Sequence, residues 1–444
     1  MQPSVPGLFW RDFHYIITGK RMTDIKHQID SAVDAAWEEI VSFIQSLVQS
    51  PSLANDEGPV QKLISEKLET LGLAPEKVPI RFDELKDHPA FCDDGFSPNT
   101  RVNVIGQWKN DGGGKSIILN GHVDVVPTGP LELWDESPWS GSIKDKRIYG
   151  RGSCDMKAGL TSAIFAVQIL QSIGFEPKGN VMIQSVVGEE SGGCGTLTNI
   201  VKEYSADAAV ILEPTSLKIS PIQSGALTFR LTIPGRATHA AMRWDGVSAI
   251  EKFNLIHRSI LEFEKERHQS FDVKYYESKD RVAPINIGTI KGGEWHSTVP
   301  ESVVAEGRLG VFPDELAQDA RDAFETHLQT ISETDDWLKD NIPTVEWFEG
   351  QFESGKTETN HPLIQSLSDC YHQTTGDAPI IEGVTYGSDL RLFTNHAHIP
   401  AVLFGPGDVR LAHSANEYVE IDEIITTVKI IANMIVSWCG SPHE

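Results

Sequence analysis

No stretch of the 444 residues approaches the roughly 18 uninterrupted apolar positions of a membrane-spanning helix, because polar residues break every long apolar run. No membrane partner is expected. Cysteine is also scarce: Cys92, Cys154, Cys194, Cys370 and Cys439 are odd in number and show no CxxC spacing, which argues against a disulfide framework and suits a reducing compartment. Basic residues are few relative to acidic ones, 38 Lys+Arg against 63 Asp+Glu, for a formal charge of −25. That much negative charge argues against a nucleic-acid partner, which requires a basic face. It favours cationic ligands only weakly, and a solvated acidic surface accounts for most of it. Residues 1–21 lack the charged start, apolar core and small-residue cleavage site of a secretory signal. They read as an unstructured upstream extension, from a start placed too early, with no folded role. A cytoplasmic location is then the default expectation.

What is present is the patterning of an α/β protein, with 40% hydrophobic and 23% charged residues. The length exceeds what one hydrophobic core usually organises, so two domains are expected. From Asp24 to about Val48, apolar residues from Ile25 through Ile29, Val33, Ile40 and Ile44 recur at helical spacing. A second helix is expected over about 59–71, strands over RVNVIGQWKN and KSIILNGHVDVV, a helix from Ala158 to Ile173, and strands over VMIQSVVGEE and AAVILE. Strands alternating with helices indicate a largely parallel sheet. After Pro221 the character changes. A strand (ALTFRLTIPGRATHA), a helix (246–266), two strands (INIGTIKGG, SVVAEGRLGVF), a helix (314–331) and a strand near TVEWF suit a small inserted α+β domain. Helix 362–375, strand PAVLFGPG and helix 421–438 then return to the first pattern. The expected division is 22–222 with 350–444 as one domain and 223–349 as the insert. No internal repeat or low-complexity segment is evident.

The residues suited to chemistry fall at the carboxyl ends of expected strands, where open α/β sheets place their sites. GHVDVVP puts His122 and Asp124 just past an apolar strand; a metal-bound imidazole needs an orienting acceptor, and Asp124 is placed to provide one. HxD alone is as readily an incidental loop pair. YGRGSCDMKAG sets Asp155 before a helix, where an ordinary N-cap would explain the Asp but not the flanking glycines. In VVGEESGGCGT, adjacent Glu189 and Glu190 end an apolar strand, an unfavourable pairing unless cations or a proton separate them. One Glu can then ligate a metal while the other acts as general base. A solvated acidic turn is the plainer alternative. Glu213 in ILEPTS would be costly unpaired in a buried strand end, and His413 lies in the Gly-rich GPGDVRLAHSANEYV; either alone is an ordinary loop residue.

In combination and in this order, the five segments resemble the M20 metallopeptidase family, from about Asp24 to the end of the chain, and within it the acetylornithine deacetylase and succinyl-diaminopimelate desuccinylase branch. The resemblance implies a zinc-peptidase-like catalytic domain with a mostly parallel sheet, plus an inserted ferredoxin-like α+β domain serving as lid and dimerisation surface. It implies two divalent ions, most simply Zn2+ with Co2+ or Mn2+ as alternatives. His122, Asp155 and Glu213 would hold one and His413, Asp155 and Glu190 the other. Asp124 would orient His122, and Glu189 would be the base. A non-proline cis peptide is implied at Asp155–Met156. In the insert, PGRATHAAM matches His239 to a histidine that reaches a neighbouring active site and stabilises the oxyanion, while Asn286 and Arg308 match lid positions that meet a substrate carboxylate. For these three, a polar strand residue is the plainer alternative.

The implied activity is hydrolysis of an amide in a small N-acyl amino acid, of acetylornithine deacetylase type, by a homodimer formed through the insert. Desuccinylase, deformylase, and dipeptidase or carboxypeptidase activities are the alternatives within the family. A non-catalytic binding protein is disfavoured because each expected ligand and the base are present.

Overall fold

The computed structural model describes residues 10–93, 95, 100–271 and 274–440, with side chains of the first helix described from Asp24. That helix, α1 (Trp10–Val48), is continuous. The expected unstructured extension over 1–21 therefore differs from the structure from Trp10 onward, and residues 1–9 lie outside the described part. Once Ile29, Val33, Ile40 and Ile44 are buried against the core, adding turns at the N-terminal end no longer carries the cost of nucleation.

The chain continues through α2 (Gly58–Thr70), β1 (Glu76–Pro79), α3 (Phe82–Leu85), β2 (Val102–Trp108), β3 (Ile117–His122), β4 (Ser142–Lys144), β5 (Arg147–Tyr149), α4 (Ala158–Ser172), β6 (Val181–Val186), α5 (Cys194–Val201), β7 (Ala209–Ile211) and β8 (Ile222–Gln223). A second group follows: β9 (Gly225–Pro234), α6 (Ala249–Ser270), β10 (Ile285–Gly292), β11 (Ser302–Val311), α7 (Ala317–Ser332) and β12 (Thr344–Phe352). The last elements are β13 (Gly355–Lys356), α8 (Pro362–Thr375), β14 (Ala401–Leu403), β15 (Tyr418–Glu420) and α9 (Ile421–Cys439).

The main sheet has the order β1-β2-β6-β3-β7-β14. β6, β3, β7 and β14 are parallel, while β1 and β2 add an antiparallel edge. The link from β2 to β3 is too short for a parallel crossover, which needs a dozen or more residues, and the two strands lie antiparallel on either side of β6. Every residue of β3 and β6 is buried, which is why they read as largely apolar runs without strict alternation. Helices α1, α4, α8 and α9 pack together over this sheet.

The second sheet is fully antiparallel in the order β10-β11-β9-β12, the arrangement of the expected ferredoxin-like unit. Alternate residues of β9 (Leu227, Phe229, Leu231, Ile233) meet Ile256 and Ile260 of α6 and Phe324 and Leu328 of α7 in a hydrophobic cluster separate from the main one. A small third sheet, β15-β5-β4, was not anticipated from sequence. Its hairpin turns at Asp145 and Lys146, both at positive φ, without the Asn-Gly signature that usually marks such a turn. Pairing of Tyr418 with Tyr149 brings the NEYV segment beside GRGSCD.

Candidate metal centre

Three parallel strands converge on one edge. β3 ends at His122, β6 runs into the Glu189–Glu190 turn, and β7 leads to Glu213. Asp155 reaches the same place from the kinked start of α4, and His413 from the loop before β15. Gly159 permits this crowding: a Cβ there would lie 1.9 Å from the carbonyl oxygen of Leu212, so any side chain would push α4 away from Glu213.

His122 Nε2 is 3.1 Å from Asp155 Oδ1 and 3.9 Å from both Glu213 Oε1 and Glu189 Oε2. His413 Nε2 is 3.5 Å from Asp155 Oδ2 and 3.0 Å from Glu190 Oε2. The two oxygens of Asp155 thus face two different imidazoles. His122, Glu189 and Glu213 are buried, Asp155 and Glu190 nearly so, and His413 is half open to solvent. The peptide bond Asp155–Met156 is cis.

The electrostatics call for cations. Burial, followed by the charge of neighbouring carboxylates, pushes Glu189 and Glu213 well above the ordinary carboxylate range and raises Glu190. Burial opposes charge on His122, but the Asp155 hydrogen bond and the charges of Glu213, Asp124 and Glu189 outweigh it and push the imidazole well up. Hydrogen bonds to Asp155 and Glu190 push His413 up to about 10. Glu213 Oε1 is buried without a hydrogen-bond partner, an arrangement that costs roughly 1–3 kcal/mol, and more for a charged group. Oxygen and imidazole donors in this set, with one carboxylate oxygen left open, fit divalent metal ions. His122, Asp155 and Glu190, and separately His122, Glu189 and Glu213, bring ligand atoms within 4.8 Å of one another.

The part played by Asp124 differs from the expectation. Its backbone oxygen, 2.9 Å from His122 Nδ1, orients the imidazole, while its carboxylate stands 3.8 Å away. The carboxylate instead accepts the backbone N–H groups of Glu189 (3.3 Å) and Glu190 (3.1 Å). It therefore positions the acidic turn. A carboxylate two residues from a histidine can serve either way, and spacing alone does not distinguish them.

Asn286 and Arg308 are register partners on β10 and β11 and line one groove of about 500 Å³ on the open face of the small sheet. Arg308 donates to Thr385 O at 2.8 Å, and its Nε is buried without a partner. His239 is exposed, its Nδ1 accepting from Ala241 N at 3.1 Å. Within one chain, no hydrogen bond among the described residues joins these three to the two-histidine cluster.

Several functional residues were missed. Glu417 accepts the backbone N–H groups of Cys154 (3.0 Å) and Asp155 (3.2 Å) and pairs with Arg151. Arg151 also donates to Ser414 O and Pro127 O, both at 3.2 Å, so one buried guanidinium ties together the loops bearing His122, Asp155 and His413. The GRG flanks that a helix cap could not explain were the available signal. Asp389 accepts from Thr196 Oγ1 at 2.5 Å, and Arg391 donates to Gly192 O at 2.9 Å, so the YGSDLR loop (386–391) is fastened to α5 and to the Glu189–Gly193 turn that precedes it. Burial pushes the phenol of Tyr386, on this loop, well up, with the charges of Glu213 and Asp155 next in effect.

Arg151→Met should destabilise the fold by roughly 3–5 kcal/mol, because it strands the buried Glu417 carboxylate. Burial, opposed by Arg151, already pushes Glu417 up to about 7. The loss should thus be larger at pH 8, where Glu417 is charged, than at pH 6, where it takes a proton. Urea unfolding at both pH values checks this, and equal losses would show that the pair is not the cause.

A family model described as Peptidase family M20/M25/M40 matches residues 118–437. The chain is 29% identical over 445 aligned positions to the N-formyl-4-amino-5-aminomethyl-2-methylpyrimidine deformylase of Bacillus subtilis, covering 94% of this chain and 99% of that one. Among solved structures it resembles the dipeptidase Dug1p from Saccharomyces cerevisiae, with TM-score 0.73, 18% identity and coverage of 93% and 98%. It also resembles YXEP of Bacillus subtilis, described as a dinuclear metal-binding peptidase, with TM-score 0.60, 16% identity and coverage of 91% and 98%.

Proposed function

The chain belongs to Peptidase family M20/M25/M40, and from that premise we propose that this metal-dependent amidohydrolase removes a formyl group from a small primary amine, using two divalent ions. The observation that carries the proposal is the pair of imidazoles facing the two oxygens of Asp155, with Glu190 beside one and Glu213 beside the other. His122, Asp155 and Glu213 would hold one ion, and Asp155, Glu190 and His413 the second. Once bound, such ions acidify water and polarise an acyl oxygen.

Glu189 then takes the proton of the attacking water, and its burial favours the protonated state it must reach. It returns that proton to the nitrogen of the departing amine. Asp124 holds the turn that aims it. The preference for formyl rests on similarity to the deformylase. A second substrate class, an N-acyl amino acid such as N-acetylornithine, is supported by the partnerless Nε of Arg308, which a substrate carboxylate would satisfy whatever the acyl group or side chain.

The expected boundary at 350 falls inside β12, whose Gln351 and Phe352 pair with β9, so residues 223–352 would form the lid and 22–222 with 353–444 the catalytic unit. Met242 (52% exposed), Trp244 (82%) and Trp295 (64%) flank His239 in sequence or across the loop that Ala240 N joins to Ser297 O. Apolar exposure of this kind suits an interface, and a second copy would bring His239 to its neighbour's site.

The test is a panel of N-formyl, N-acetyl and N-succinyl amines and dipeptides, run with Zn2+, Co2+ or Mn2+ on protein whose sedimentation is measured. The N-formyl aminomethylpyrimidine should exceed N-acetylornithine in kcat/KM by about tenfold or more, a difference of roughly 1.4 kcal/mol, with the protein sedimenting as a dimer. The opposite order selects the acetyl class. Metal-loaded protein that hydrolyses no amide would sink the proposal.

A further inference from the structure

The loop from Thr385 to Arg391 approaches the metal centre, yet only part of it has an evident supporting task. Arg308 holds Thr385 O. Ser388 hydrogen-bonds Gln223, Asp389 receives Thr196, and Arg391 grips Gly192 O. A Cβ on Gly387 would come within 2.4 Å of Phe352 Cβ, so the backbone there is seated against β12. The loop is fixed at both ends and in the middle.

Tyr386, inside this fixed loop, has no structural use for its polar atom. The phenol oxygen is shielded from solvent and has no hydrogen-bond partner. It lies within reach of the charges of Glu213, Asp155 and Glu189, the residues placed around the reacting centre above. A tyrosine buried for packing alone usually finds a partner for its hydroxyl. One that is rigidly held, dry and unpartnered beside a reaction centre is a preorganised donor waiting for an acceptor that forms only during the reaction.

We propose that Tyr386 is a further catalytic residue, donating a hydrogen bond from its phenol to the oxyanion that develops as water adds to the amide carbonyl. This rests on the hydrolase function proposed above and deepens it. The phenol keeps its proton throughout: the carbonyl carbon gains the water oxygen, its π electrons pass to the acyl oxygen, and that oxygen accepts the hydrogen bond. When the C–N bond breaks, the charge returns to the carbonyl and the hydrogen bond weakens. Stabilisation of the oxyanion, which family resemblance assigns to His239 of a neighbouring copy, thus has a contributor from the same chain.

Tyr386→Phe retains the ring and removes only the hydroxyl. Its kcat should fall on the order of 10²-fold, the effect of losing one oxyanion donor, with KM changed by less than about threefold. Metal content and Tm should match those of the parent. Methylphosphonate, an anionic tetrahedral probe, should bind the metal-loaded variant at least about tenfold more weakly by calorimetry. A kcat within about threefold of the parent overturns the assignment, as does parallel loss of metal, Tm and kcat, which would mark a structural role. If the parent hydrolyses no amide, the function proposed above fails, and methylphosphonate alone decides Tyr386: unchanged affinity removes it.

Discussion

Replacing Glu189 by Gln is expected to lower kcat on the order of 10³- to 10⁴-fold, while both metal ions remain bound and KM changes little. The substitution keeps the size of the side chain and its capacity for hydrogen bonding but removes the proton acceptor. Glu189 and Glu213 both stand 3.9 Å from His122, farther than Glu190 from His413 (3.0 Å) or Asp155 from His122 (3.1 Å). Of the two, Glu189 is taken as the base because it adjoins Glu190 in one turn, where one carboxylate can ligate while its neighbour accepts the proton. Its backbone N–H is held by Asp124 at 3.3 Å, and Gly192 N–H donates to its carbonyl at 3.0 Å, so the turn stays in place when the carboxylate is lost. Elemental analysis alongside steady-state kinetics checks the division of labour. Loss of a metal ion in Glu189→Gln would make this residue a ligand, and turnover close to the parent would require a different base. Glu190→Gln supplies the contrast, because it should lose metal and activity together.

Much of this centre was legible in the sequence because its parts coincide with strong local signals. β3 and β6 are buried on both faces, so they appear as largely apolar runs whose first ionisable residues, His122 and Glu189, mark the sheet's edge. Helix α8 was found with its ends in place because His361 caps it, Pro362 opens it and Gly376 closes it at φ 82. The strand–helix–strand–strand–helix–strand insert was visible through its alternation, as in β9.

What was not legible depends on distance in the chain. Arg151 and Glu417 are 266 residues apart, and nothing local to either announces that they meet beneath Asp155. The three-residue strands β4, β5 and β15 carry too little periodicity to register, although β15 is what delivers Glu417. Tyr386 reads as one more aromatic in a loop until the absence of a partner for its hydroxyl is seen in three dimensions. The acetyl preference implied by the family resemblance concerns the acyl pocket, which the metal-ligand motifs do not encode. The similarity to a deformylase shifts the proposal accordingly.

Removing the carboxylate that faces both imidazoles should have the largest effect of all. Asp155→Ala is expected to bind neither ion tightly and to reduce turnover to background, since one side chain serves both sides of the centre. The metal-free parent and the variant should also differ in their response to pH. In the metal-free parent, Asp155 and Glu190 hold His413 up to about 10, above its ordinary value near 6.5. A group raised on folding contributes stability that is fully present below its unfolded pKa and is lost as pH rises through the folded one. The metal-free parent should therefore lose Tm progressively between about pH 6.5 and 10, with a shallower decline in Asp155→Ala. Metal loading reverses this dependence: an imidazole must be deprotonated to bind, so each loading event releases protons and apparent affinity climbs with pH. Calorimetric titration at pH 8 in two buffers of different ionisation enthalpy measures that release directly. No proton release from the parent, or tight retention of both ions by Asp155→Ala, would separate these side chains from the metal centre assigned to them.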